Sequence, residues 1–234
     1  MKHTILILIA EVLLVICSSQ SAALISKDSL IDNNEPISDV VDHSNESFFQ
    51  KFRPDTLIMD FDYAVFYISE SYQINDLKFL FGHYEPSDKG ELSPYDSEKD
   101  YGRRLLCFNT ENQLVFKSDG AWDSWIFIPH FYISNDKKQI VILCQMGFEY
   151  FCGTSAFLLE NNKVQNIGIL DIEPYSEYDY SGPICSVTNI KRINSSLEFT
   201  FDTDSLLLDP GGDNILVTNA KYIYKAGKLT LVND

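Results

Sequence analysis

From residue 55 to the C-terminus the chain is written in short apolar runs separated by turn-forming residues, the pattern of strands joined by hairpins. Residues 105–108 and 113–117 flank Asn109-Thr110-Glu111-Asn112, residues 156–159 and 164–172 flank Glu160-Asn161-Asn162-Lys163, and residues 221–225 and 228–232 flank Ala226-Gly227. Asn and Gly tolerate the left-handed backbone that tight hairpins require. Trp125, Phe127, Phe131 and Ile133 share one parity, which predicts that all four face the core from one strand. Leu197, Phe199 and Phe201 alternate with Glu198, Thr200 and Asp202, a strand with one wet face. Residues 140–143 are apolar without alternation, as expected of a central strand. Residues 56–59 and 63–68 read as strands, and 74–81 as strand or helix.

Sequential hairpins pair without crossovers, so the predicted fold is all-β. It is an antiparallel meander of hairpins forming a sandwich or a small irregular propeller-like domain. The stretch 131–170 carries four predicted strands, about the 40 to 45 residues of one propeller blade. The stretch 184–232 is similarly spaced but repeats no signature residue.

The pattern before residue 55 is different. Met1 and Lys2 give a cationic start, residues 4–16 are apolar except for Glu11, and Ser18-Ser19-Gln20-Ser21-Ala22-Ala23 follows. That run is short for a membrane span and has the layout of an export signal. Cleavage after Ala23 places Ser21 and Ala23 at the two positions a signal peptidase inspects. The other route is lipidation: Leu14-Val15-Ile16-Cys17 resembles a bacterial lipobox, with Ile16 where a small residue is usual, and would leave a lipid anchor on Cys17. The expected organisation is a signal over 1–23, a polar acidic linker or arm over 24–54, and a single all-β domain over 55–234. The expected compartment is secreted or periplasmic, with membrane anchoring as a lipoprotein the second route.

With 45% hydrophobic residues in 234, the chain has enough apolar surface for a core without metal or partner, and 16 Phe with 13 Tyr suit strands. The formal net charge is -16, and removing residues 1–23 takes away one Lys and one Glu and leaves it unchanged. A field of that sign repels phosphate backbones, which argues against nucleic acid, and attracts a basic protein. An oxidising compartment turns cysteines toward disulfides. Cys144 and Cys152 flank a stretch able to bend back as a hairpin, so a bridge between them is expected, leaving Cys107 for Cys185. No second close-spaced Cys or His pair completes a zinc set, and no cofactor motif is present.

Candidate chemistry is acidic throughout. Residues 83–102 form a predicted loop carrying Glu85, Asp88, Glu91, Asp96, Glu98 and Asp100. Residues 171–180 interleave acids with tyrosines, and Glu173, Tyr175, Glu177, Tyr178, Asp179 and Tyr180 are the predicted binding residues: tyrosine offers rigid contact area and carboxylates attract Lys and Arg. Asp202, Asp204, Asp209 and Asp213 form an oxygen-rich cluster whose spacing matches no calcium loop. Asp60 and Asp62, on one side of a predicted strand, are the carboxylate pair a glycosidase would need. His83 and His130 lack an accompanying nucleophile motif, and Trp122 and Trp125 could stack on a sugar. The leading expectation is an exported, non-enzymatic binding protein, inhibitor or immunity-like, that recognises a basic macromolecule through acidic, tyrosine-containing loops. The alternative is a secreted glycan-acting hydrolase.

Overall fold

The computed structural model describes residues 46–56, 63, 65–149, 152–175, 182–209 and 212–233, and among them strands dominate, with one 3-10 turn, Ile184–Ser186, and no α-helix. None of the described segments is a helix long and apolar enough to cross a membrane. In chain order, β1 (Glu46–Phe52) and β2 (Asp55–Thr56) precede the hairpin of β3 (Phe66–Ile74) and β4 (Leu77–Tyr84). Next come β5 (Arg104–Phe108) with β6 (Leu114–Lys117), β7 (Ile126–Ser134) with β8 (Gln139–Gly147), and β9 (Cys152–Glu160) with β10 (Lys163–Leu170). After β11 (Ile172–Pro174), β12 (Thr188–Ile193) pairs with β13 (Ser196–Phe201), and β14 (Leu206–Leu208) and β15 (Ile215–Val217) lead to β16 (Ala220–Lys225) and β17 (Lys228–Asn233). The turn chemistry is as read. Asn161 and Asn162 both adopt positive φ between β9 and β10, as do Ala226 and Gly227 between β16 and β17, the two-residue geometry that matches strand twist.

The strands form three sheets. A nine-stranded sheet runs β10-β9-β8-β7-β1-β12-β13-β16-β17, a five-stranded sheet runs β2-β3-β4-β5-β6, and a three-stranded sheet runs β11-β14-β15. All named pairings are antiparallel. The nine-stranded sheet curls until β10 approaches β17, giving a nearly closed barrel. A bulge between Asn166 and Gly168 bends β10 at that seam, where a Cβ on Gly168 would lie 3.2 Å from Leu229. Gly168 also has φ +135°, backbone that only glycine adopts without strain. Because the strands of 131–170 belong to this continuous sheet, they are not a propeller blade.

Strand β1 lies in the part of the chain that its polar texture assigned to the arm. Its first residues pair with β12 (Glu46 opposite Ile193) and its last with β7 (Phe52 opposite Phe131), so it joins the two halves of the barrel. The polar spacing was misleading because Phe49 and Phe52, packed against the two cores, are enough to seat a strand whose neighbours supply the apolar faces, while Phe48 stays exposed. The remainder of the expected arm, the expected export signal and Cys17 lie outside the described residues.

Two cores share one wall. Inside the barrel, Val141 and Leu143 of β8 pack with Leu158, Ile190, Leu197 and Phe199. On the opposite side of the same strands, Ile140, Ile142 and Met146 pack with Phe79 and Phe81 of β4 and Phe127 and Phe131 of β7. Hence β8 is buried along nearly its whole length, which explains an apolar run without alternation. The parity of β7 is as read for Phe127 and Phe131, but Trp125 precedes the strand and is 64% exposed.

Among the described residues no disulfide joins Cys107, Cys144, Cys152 or Cys185. The β8–β9 hairpin does form, but in its register Cys144 faces Ser155 and Cys152 faces Gly147. An offset of three residues is about 10 Å along a strand and places the two side chains on opposite faces, beyond the roughly 7 Å Cα separation a disulfide tolerates. Cys107 belongs to the core outside the barrel and Cys185 to the core within it, so the second expected bridge is blocked by the sheet between them. Burial pushes the Cys107 thiol up to about 12 and the Cys185 thiol up to about 11, so both stay protonated. Non-reducing peptide mapping is expected to find neither Cys144–Cys152 nor Cys107–Cys185. Gly168→Ala is expected to destabilise the fold by about 1–3 kcal/mol through backbone strain at the seam. Urea unfolding measures that loss, and Leu229→Ala in the same chain should return only its steric part.

Candidate functional site: an aromatic groove with an acidic rim

The long acidic loop between β4 and β5 is pinned from below by the buried Arg104, with Lys117 Nζ 3.7 Å from Asp100 Oδ2 as a second, outer cation. Arg104 opens β5 with its side chain fully buried, its Nη2 donating to Asp96 Oδ1 at 2.6 Å and its Nη1 lying 3.3 Å from both carboxylate oxygens of Asp100. Its guanidinium carbon sits 5.2 Å from the centre of the Tyr84 ring. Asp100 Oδ1 also accepts the Gly120 N–H at 2.6 Å, tying the loop to the segment after β6. Burial pushes the Asp96 carboxyl upward against the pull of Arg104. At Asp100 the same burial is outweighed by the Gly120 N–H and Arg104, which hold it below the usual carboxylate range.

That clamp brings residues 101–103 against residues 120–122. The two segments approach so closely that a Cβ on Gly120 would lie 2.0 Å from the Tyr101 carbonyl oxygen, and one on Gly102 would lie 1.9 Å from that of Trp122. Ala121 donates its N–H to the Arg103 carbonyl at 2.7 Å. Trp122 emerges from this crossing with φ 44° and 44% of its surface exposed. A bulky aromatic residue in left-handed backbone is strained, and such strain persists only where its surroundings over-determine it. Ser124 secures the next turn: its hydroxyl accepts the Gly147 N–H at 3.0 Å and lies 2.6 Å from the Ile126 carbonyl.

Trp122 stands between two hollows. One, of about 400 Å³, includes His83, Glu91, Ser93 and Trp125 in its lining. The other, of about 640 Å³, includes Met146, Phe148, Ile169 and Asp171. Tyr101, Trp122 and Asp123 line both. Tyr101 and Trp122 thus give both hollows aromatic surface and Asp123 gives both a carboxylate, while Arg103 places one cation in the lining of the first. Burial, followed by the nearby Arg103, lowers the His83 imidazole, which leaves it neutral at pH 7, and its Nδ1 has no hydrogen-bond partner among the described residues.

The predicted binding residues divide. Glu173 is on β11, partly buried, and its Oε2 accepts the Cys152 N–H at 3.1 Å, so it braces the sheet. Burial raises its carboxyl, opposed by that hydrogen bond. Tyr175 is exposed and donates its N–H to the Ser205 carbonyl at 3.0 Å. Glu177, Tyr178, Asp179 and Tyr180 lie outside the described residues, as do Asp60 and Asp62. Asp209 closes its own turn, its Oδ2 accepting the Asp213 N–H at 3.1 Å. Among the described residues no group of three or more His, Cys, Asp or Glu is arranged to hold a metal ion. His130 is on β7 with its imidazole lowered by burial.

The sequence offered Trp122 and Trp125 as sugar-stacking candidates, but strand parity placed Trp125 in the core. Nothing in the local sequence marked Arg104, Tyr101 or Asp171 as their neighbours. No protein-family model, no curated protein and no solved structure matches the chain.

Replacing Arg104 by Met leaves Asp96 buried without its cation, and breaking a buried pair in this way costs about 3–5 kcal/mol. Thermal or urea unfolding should show that loss, and Asp96→Leu added to Arg104→Met should recover part of it. Asp100→Asn should flatten the acid limb of stability. The lowered Asp100 carboxyl contributes above the ordinary carboxylate range near 4, and that contribution fades as pH falls through it.

Proposed function

We infer that this chain is an exported binding protein that takes a cationic segment of another protein into the groove astride Trp122. The observation that carries the reading is Trp122 itself, an exposed indole held on strained backbone as the shared wall of two hollows. An aromatic face attracts Lys and Arg by about 0.5–1 kcal/mol at exposed sites and about 2 when water is excluded. Asp123 beside it, Glu91 in one hollow and Asp171 in the other add carboxylates, and the net charge of -16 draws a basic partner from a distance. Export is carried by the apolar run of residues 4–16 and the small residues ending at Ala23. The groove adds a recognition surface to the one read from Tyr175 and its neighbours.

The chain contains two tryptophans, and both line the groove, so tryptophan emission excited apart from the 13 tyrosines reports on this site. Titration with a lysine- and arginine-rich peptide is expected to shift the emission, with an affinity that falls as salt rises. Trp122→Ala is expected to weaken binding at least tenfold without loss of the fold by circular dichroism. Unchanged affinity in Trp122→Ala, or a shift produced by neutral oligosaccharides and by no cationic peptide, would overturn the reading.

A further inference from the structure

The larger hollow has an apolar wall and an anion that no described side chain neutralises. Asp171 follows β10 directly, and its backbone is clamped: its N–H donates to Tyr222 Oη at 3.2 Å, and its carbonyl accepts the Asp209 N–H at 3.2 Å. Burial, and then the neighbouring Asp209, push its carboxyl upward. Among the described residues the ion pairs engage Asp96, Asp100, Asp136, Glu160 and Glu198, and none supplies a Lys or Arg to Asp171. Partly buried charge is costly unless a counter-charge reaches it. A ligand cation is the group that would complete this site.

The shape of the hollow selects among cations. Its about 640 Å³ is lined on the apolar side by Met146, Phe148, Ile169 and Trp122. Its carboxylates come from separate elements: Asp123 from the segment before β7, Glu149 from the end of the β8 hairpin, and Asp171 from the end of β10. An ammonium carries its whole charge at one point on the end of a flexible stem and can meet a single carboxylate set inside a hollow, whereas a guanidinium pairs best with a carboxylate it meets in its own plane. A long methylene stem suits the Met146, Phe148 and Ile169 wall.

We propose that this hollow is the seat for a lysine side chain of the cationic partner, with the stem against Met146, Phe148 and Ile169 and the ammonium at the Asp171 carboxylate. The proposal rests on the reading of the groove as a binding site for a basic segment and adds the residue that the segment presents. The probes are three peptides differing only in a central lysine, arginine or norleucine, followed by calorimetry, because Trp122 is the tryptophan that lines this hollow and one variant removes it. The lysine peptide should bind the full chain at least tenfold more tightly than either of the others. Asp171→Asn should remove that tenfold preference, and Asp171→Glu, which keeps the charge, should retain most of it; the pair separates lost charge from lost fold. If Asp171→Asn leaves lysine binding intact while Trp122→Ala abolishes it, the seat is overturned and the groove reading stands. Equal binding of lysine and arginine, or of lysine and norleucine, also overturns the seat. If no cationic peptide binds at all, both readings fall.

Discussion

The wall made by β7, β8 and β9 is the constraint on which the rest of the structure depends, because it must bury both of its faces. One face closes the barrel over Leu143, Leu158 and Phe199, and the other receives Phe79 and Phe81 of the five-stranded sheet. Apolar strands buried on both sides leave no freedom of register, since a shift of one residue would exchange the two cores. Strand β1 can then join the barrel halves using few apolar residues, because its neighbours have already defined where the faces lie. The open end of this wall, at Met146 and Gly147, is where the groove is built.

Two electrostatic situations meet at that end. Under the loop, Arg104 is surrounded by Asp96, Asp100 and the Tyr84 ring, so its charge is neutralised within the chain and the result is a rigid support. At Asp171 the acidic side chain has no such internal partner among the described residues. The contrast separates a carboxylate paired within the chain from one without such a pair more sharply than composition could, since both kinds occur in acidic stretches of similar appearance. Glu173, expected as a recognition residue, is held by the Cys152 N–H rather than by a cation.

Local rules carried the hairpins a long way. Asn161-Asn162 and Ala226-Gly227 turn the chain where their backbone preferences place them, and the alternation of Leu197, Phe199 and Phe201 identifies a strand with one buried face. Trp125 was misassigned because parity continues on paper past the point where the strand begins, whereas its own backbone N–H donates to Gly147 and leaves the ring outside the core. The cysteines show the same limit. Spacing suggested a hairpin and the hairpin exists, but pairing depends on register, and register is set by the two cores rather than by the cysteines.

By itself, then, the sequence determined the class of structure, the turns, the alternating faces and the sign of the electrostatic field, all of which follow from short-range backbone preference or from summed charge. Tertiary structure decided that the nine strands curl toward closure at Gly168, that Cys107 and Cys185 fall on opposite sides of one sheet, and that Trp122 and Asp171 line one hollow. Those outcomes join residues remote in the chain. They follow from the requirement that the shared wall bury both its faces, which the unbroken apolar run at 140–143 shows without saying what covers each face, and from the hold of Arg104 on the acidic loop, which leaves no periodic mark in the sequence.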